Sequence, residues 1–169
     1  MSMISRAAAA LFAGSVLFTA APAQAEDALI RFFTGKTVAD GKFAAINGVK
    51  MDFKVKLTGH WDGRRLMLVE DFTYSDGVKN RKTWRMTKTG EGRYTGTRED
   101  VVGTATVKVS GQTARFSYLV DIDEGPGQNI VRFYDTLKFA ADNRTMKNTA
   151  LVTKYGLPVA RVRVDFQRK

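Results

Sequence analysis

Residues 49–61 read Val49-Lys50-Met51-Asp52-Phe53-Lys54-Val55-Lys56-Leu57-Thr58-Gly59-His60-Trp61. Successive side chains of an extended chain point to opposite faces. Val49, Met51, Phe53, Val55, Leu57 and Trp61 therefore share one face, and Lys50, Asp52, Lys54, Lys56 and His60 share the other. A period of two with apolar and charged faces specifies a strand that buries one side and wets the other.

Working outward, the same pattern repeats between turn signals. Asn47-Gly48, Asp62-Gly63, Asp76-Gly77, Gly90-Glu91-Gly92, Ser110-Gly111 and Asp142-Asn143 are residue pairs and triplets suited to the positive φ of tight hairpins. They divide the chain into strands expected near 37–46, 49–61, 64–75, 78–88, 93–99, 102–109, 112–122, 130–140, 145–155 and 159–168. Consecutive hairpins make an antiparallel meander. Ten strands left open would curl or expose two edges, so closure, complete or nearly so, into a lipocalin-like all-β barrel is expected. Ala28 to Phe33 reads as a short helix plugging one end, or as an additional first strand. Gly59, Gly96 and Gly103 fall inside strands, where glycine marks a bulge, a bend or a close approach. Pro126 falls in the loop 123–127 and Pro158 just before the last strand, so neither interrupts a strand.

The first 25 residues have another character. Arg6 precedes an apolar run from Ala7 to Phe18, and Ala23-Gln24-Ala25 supplies small residues for cleavage. This is the order of a secretory signal peptide. The run is shorter than the roughly 20 residues of a membrane-spanning helix. The expectation is cleavage after Ala25, export to the periplasm or beyond, and one barrel domain over residues 26–169. With no Cys, there is no thiol to acylate, no disulfide and no thiolate ligand.

Composition narrows the chemistry further. His60 is the single histidine and lies on the charged face of its strand, which leaves a metal site or a serine–histidine triad poorly supplied. No cofactor or metal is expected. The net charge of +10 favours anionic partners. In a cell envelope those are headgroup surfaces rather than nucleic acid. Lys79, Arg81, Lys82 and Arg85 cluster on one strand, and Arg161, Arg163, Arg168 and Lys169 at the C-terminus, either as solvated faces or as a basic rim for such a surface.

Polar residues also occur at inward phase. Glu70 shares a face with Leu66, Leu68, Phe72 and Tyr74, and Asp135 with Val131, Phe133, Leu137 and Phe139. Arg98 and Asp100 follow the phase of Tyr94 and Gly96, and Asn148 that of Met146, Ala150 and Val152. A buried carboxylate needs a partner, and Arg98 is the natural one. Three arrangements fit: an ion-pair network that fixes register, a bulge that turns the acids outward, or the polar floor of a ligand cavity. In the last case Tyr74, Trp84, Tyr94, Tyr118 and Phe133 would line the apolar part, with Glu70, Asp135 and Arg98 at the polar end.

Several of these stretches carry a resemblance. Phe32-Phe33-Thr34-Gly35, Gly59-His60-Trp61-Asp62-Gly63, Glu70-Asp71-Phe72, Tyr74-Ser75-Asp76-Gly77, Arg81-Lys82-Thr83-Trp84, Arg93-Tyr94-Thr95-Gly96, Asp100-Val101-Val102-Gly103-Thr104-Ala105 and Lys154-Tyr155-Gly156 are similar, in order and spacing, to the DUF3833 family of bacterial exported proteins. The family implies no activity or catalytic residue. Many of its members resemble lipoproteins, from which this cysteine-free chain departs. Strand number and order also resemble the calycin group, which includes lipocalins and fatty-acid-binding proteins. The expected function is binding or carriage of an apolar or amphiphilic, lipid-like ligand, with peripheral contact to an anionic membrane. The alternatives are a barrel isomerase or hydrolase using Glu70 or Asp135 as general acid or base, and a structural envelope protein.

Overall fold

The computed structural model describes residues 27–122 and 129–169. The cleavage segment 1–25 and the loop 123–127 read from the sequence lie outside them. The chain opens with a six-residue helix, α1 (Ala28–Phe33), followed by β1 (Gly35–Ala45), β2 (Lys50–Trp61), β3 (Arg65–Tyr74), β4 (Lys79–Gly90) and β5 (Arg93–Thr97). The second half comprises β6 (Val101–Ser110), β7 (Thr113–Asp121), β8 (Ile130–Phe139), β9 (Thr145–Lys154) and β10 (Leu157–Arg168). Every strand pairs antiparallel with its neighbour in sequence, and β1 pairs with β10, from Thr37 opposite Arg168 to Ala45 opposite Ala160. The ten strands form a closed barrel.

The turn chemistry explains where the strands stop. Gly48, Gly63, Gly77, Gly92, Gly111 and Asn143 all have positive φ, as hairpins of this kind require. Asp62 and Asp76 brace their own turns by accepting hydrogen bonds from backbone amides two or three residues on. One turn falls earlier than expected. Tyr155 (φ 50°) and Gly156 (φ 82°) form the tip between β9 and β10, so β10 begins at Leu157 and takes in Pro158. Pro158 sits where the register shifts, the irregularity at which a strand tolerates it.

One end of the barrel is stoppered. Asp27 caps α1 by accepting from the Ile30 amide, and Leu29, Ile30, Phe32 and Phe33 are buried between the strands. Phe33 meets Phe139 and Phe166 edge-on, with ring centroids 6.5 and 5.9 Å apart. Gly59 makes the stopper fit: a Cβ there would stand 1.9 Å from the Phe33 carbonyl oxygen. Gly96 passes close to Trp84, and Gly103 (φ 74°) occupies the register shift between Val102 and Thr106. All three in-strand glycines thus mark a close approach or a bulge.

Among the described residues the other end is open. Ile46, Val49, Met51, Val78, Val102, Ile122, Tyr155 and Leu157 are all exposed, and all lie on the loops and strand ends around this mouth.

Candidate functional site

Between mouth and stopper lies a cavity of about 870 Å³. Its aromatic lining comes in two tiers set by strand phase. Near the mouth, Phe53, Phe72 and Tyr74 group together, with Phe72 and Tyr74 stacked at 5.9 Å. Deeper, Trp84 meets Tyr118 edge-on at 5.2 Å, and Tyr118 stacks on Phe133 at 5.4 Å. Adjacent strands in register bring these rings together: Tyr118 on β7 pairs directly with Phe133 on β8.

A charged cluster forms part of the wall. Arg98 and Asp100 belong to the short connection between β5 and β6, and both turn inward. Arg98 donates Nε and Nη2 to the two carboxylate oxygens of Asp100, at 2.7 and 3.1 Å, and Nη1 to Glu70 at 3.1 Å. Lys82 makes a further ion pair with Asp100. The guanidinium also lies 4.8 Å from the ring centre of Trp84, a cation–π placement. Burial pushes the Glu70 carboxyl above its ordinary range despite the pull of Arg98. Asp100 behaves oppositely: burial works against its charge, but Arg98 and Lys82 together outweigh it and hold the carboxyl below the usual range.

A second polar group faces the cavity from β8 and β9. Asn148 Nδ2 donates to Asp135 Oδ1 at 2.6 Å. Burial raises the Asp135 carboxyl, against the hydrogen bonds of Asn148 and the Tyr118 hydroxyl. Burial also raises the Tyr118 phenol well above its ordinary value.

Seven of the eight residues chosen from strand phase line this cavity: Glu70, Tyr74, Trp84, Arg98, Tyr118, Phe133 and Asp135. Both acids point inward. Tyr94 points inward too, but at the stoppered end, where it is fully buried, donates to Asp27 Oδ2 at 2.5 Å and packs on Trp61. It braces the helix and does not line the cavity. Lys82 is the residue sequence reading misplaced. Grouped there with Lys79, Arg81 and Arg85, it instead shares the inward phase of Trp84 and Met86, a signal already present in the alternation. Among the described residues no three His, Asp or Glu side chains are grouped to hold a metal, and His60 is exposed on the outer wall.

The fold has solved counterparts. An S-type phycobiliprotein lyase, CPES, from Guillardia theta aligns at 9% identity over 83% of this chain and 90% of its own, with a TM-score of 0.59. Rv2717c from M. tuberculosis aligns at 12% identity over 84% of this chain and 95% of its own, with a TM-score of 0.61. Likeness at such identity speaks to the barrel alone. No curated protein matches the sequence. The family profile described as protein of unknown function DUF3833 matches residues 15–168, and the chain belongs to that family.

Proposed function

We propose that this protein is an exported binding or carrier module that holds an apolar or amphiphilic ligand in its barrel and exchanges it with a lipid surface through the open end. The observation that carries this reading is the cavity itself. At about 870 Å³, lined by two tiers of aromatic rings with a few converging polar groups, it has the size and character of a small-molecule site. A barrel of similar fold serves a phycobiliprotein lyase, so the architecture is compatible with a small-ligand role.

The rim supports the exchange. Tyr155 and Leu157 are 94% and 70% exposed at one hairpin tip, and Ile46 is 79% exposed at another. Tyr155 holds a left-handed backbone that bulky residues rarely adopt, which lifts its ring clear of the barrel. Lys50, Lys79 and Lys154 flank these tips, alongside the acids Asp52 and Asp76. Apolar tips with neighbouring cations suit the boundary between headgroups and acyl chains. Export rests on Arg6, the apolar run and Ala23-Gln24-Ala25.

Native mass spectrometry of the chain expressed with its N-terminal segment tests both parts. The expected result is a protein beginning at Glu26 with a stoichiometric lipophilic adduct released by solvent extraction. A protein that is empty and also takes up no lipophilic dye would overturn the carrier reading; an intact N-terminus would overturn cleavage.

A further inference from the structure

A guanidinium at the wall of an apolar cavity is a natural receptor for an acid head, because its planar fork meets a carboxylate with two parallel hydrogen bonds. Arg98 stands at the wall of this cavity, but its fork is occupied from within. The edge formed by Nε and Nη2 holds both oxygens of Asp100, at 2.7 and 3.1 Å, and Nη1 holds Glu70 Oε2 at 3.1 Å. Its flat side meets the rings of Trp84 and Tyr118, 4.8 and 5.8 Å from their centres. Asp100 belongs to the same short connection as Arg98, so that pair also braces the turn from β5 to β6. Glu70 has no such local duty. It reaches in from β3, where the inward neighbours Leu66, Leu68 and Phe72 are all apolar.

The other charges of the lining are matched as well. Lys82 is paired with Asp100, and Arg81 with Asp71. Among the described residues these two and Arg98 are the cations of the lining, so none is left without an acid partner. Asp135 offers an entering cation little, since it is buried and engaged by Asn148 and the Tyr118 hydroxyl. A chain with a net charge of +10 thus encloses a cavity without an unpaired positive charge. An incoming carboxylate could take the guanidinium only by displacing Glu70 or Asp100, and the displaced acid would remain in the wall without that partner.

We propose that the barrel selects uncharged amphiphiles over anionic ones, and that Glu70 sets this choice by occupying on Arg98 the seat an acid head would take. This rests on the reading of the cavity as a ligand site and narrows what it admits. The class is a hydrocarbon chain or fused ring system ending in a hydroxyl, ester or amide, with its apolar part against the aromatic tiers. Fatty acids are disfavoured. Glu70 acts here by its charge and its position. A glutamine in its place can keep the hydrogen bond from Arg98 while giving up the charge, which leaves one acid, Asp100, between two cations.

The test uses two fluorescent probes with one ring system, N-phenyl-1-naphthylamine and its 8-sulfonate, the second permanently anionic. Each is titrated at about pH 8 and chased with dodecanol, so that sulfonate held on the basic outer wall is not counted as cavity binding. Wild type is expected to hold the uncharged probe at least roughly tenfold more tightly than the sulfonate. Hydrophobicity alone leans the same way, so the decisive reading is the change in that ratio. In Glu70→Gln it should fall by about tenfold as the sulfonate gains the freed charge of Arg98. Asp100→Asn should move it in the same direction, and answers the question if the first variant does not fold. Each ratio is taken within one protein, so a loss of stability common to both probes cancels. A ratio unchanged in a folded variant would overturn the inference and leave the cavity reading standing, as would wild type binding both probes equally. Wild type giving no dodecanol-sensitive signal with either probe would overturn the cavity reading, and the inference with it.

Discussion

The guanidinium of Arg98 is divided between Glu70 and Asp100 and lies against Trp84, with only 12% of its side chain exposed. Its removal leaves Glu70 without its charge partner and Asp100 with Lys82 alone. Arg98→Met is therefore expected to destabilise the protein by about 3–5 kcal/mol, the usual cost of breaking a buried pair from one side, as read by urea unfolding. A loss below about 1 kcal/mol would show that water reaches and solvates both acids. The acids themselves respond to pH in opposite directions. The folded carboxyl of Asp135 is raised above its ordinary value of 3.8, so its contribution to stability is fully present below that value and is lost as pH rises through the folded one. The folded carboxyl of Asp100 is lowered, and its contribution is lost as pH falls. Asp135→Asn removes the first dependence only. The stability of that variant relative to wild type should improve steadily as pH is raised from about 3.8 toward neutrality, and a relative stability that worsens over that span would contradict the assignment. Inward phase at Glu70, Arg98 and Asp135 was legible in the sequence because alternation survives in each strand. The pairing of Arg98 with Asp100 as well as Glu70 was not, because strand phase gives a side chain's direction and says nothing about which of several inward groups it meets.

The helix α1 is an element that exists through its contacts rather than its length. Six residues are far too few to hold a helix alone, and what fixes it is the Asp27 cap, the burial of Leu29, Ile30, Phe32 and Phe33, and the passage of its last carbonyl over Gly59. Gly59→Ala places a methyl group where the Phe33 carbonyl oxygen stands, so α1 must shift or β2 must bend. The expected cost is about 1–3 kcal/mol, with faster amide exchange across Ala28–Phe33. Unchanged exchange there would mean that the strand absorbs the methyl and the stopper stays seated. Tyr94→Phe removes the hydroxyl from Asp27 while keeping the ring on Trp61, and is expected to cost about 1.5–3 kcal/mol with no effect on dye binding. A change in dye affinity would return Tyr94 to the cavity. The strands were readable to within a few residues because turn-forming residue pairs or triplets mark six of the hairpin tips and charged faces alternate with apolar ones between them. The helix was readable only as one of two options, since Ala28–Phe33 is too short to display either period. The tip at Tyr155 is not legible in the sequence because a tyrosine is not a usual turn residue, and a more usual turn would place Leu157 and Pro158 in the loop. Whether the barrel was hollow could not be read at all, since packed cores and ligand cavities draw on the same aromatic residues.

At the scale of the whole molecule, the barrel has two unlike ends and a charge of one sign. The stoppered end buries its apolar residues under α1, while the mouth leaves Ile46, Val78, Ile122, Tyr155 and Leu157 in water. Exposed apolar side chains scattered singly need no explanation, but here they gather where the cavity opens. A ligand leaving an apolar cavity must either cross water or pass directly into another apolar phase, and a rim that enters the acyl boundary removes the aqueous step. The net charge of +10 would bring the protein to an anionic bilayer, and the tips would then set its orientation with the mouth inward. Co-sedimentation with vesicles is expected to be strong for mixed phosphatidylglycerol and phosphatidylcholine, weak for phosphatidylcholine alone, and reduced by salt as the Debye length shrinks from about 10 Å at 0.1 M toward 3 Å at 1 M. Tyr155→Ser combined with Leu157→Ser removes two exposed side chains of one tip that carry no core packing, so melting should be unchanged. Vesicle binding should weaken, and transfer of dye from protein to vesicle should slow by more than binding does. Were the double variant to bind and deliver as wild type does, the attraction would be a property of charge spread over the outer wall, and the mouth would have to release its ligand into water.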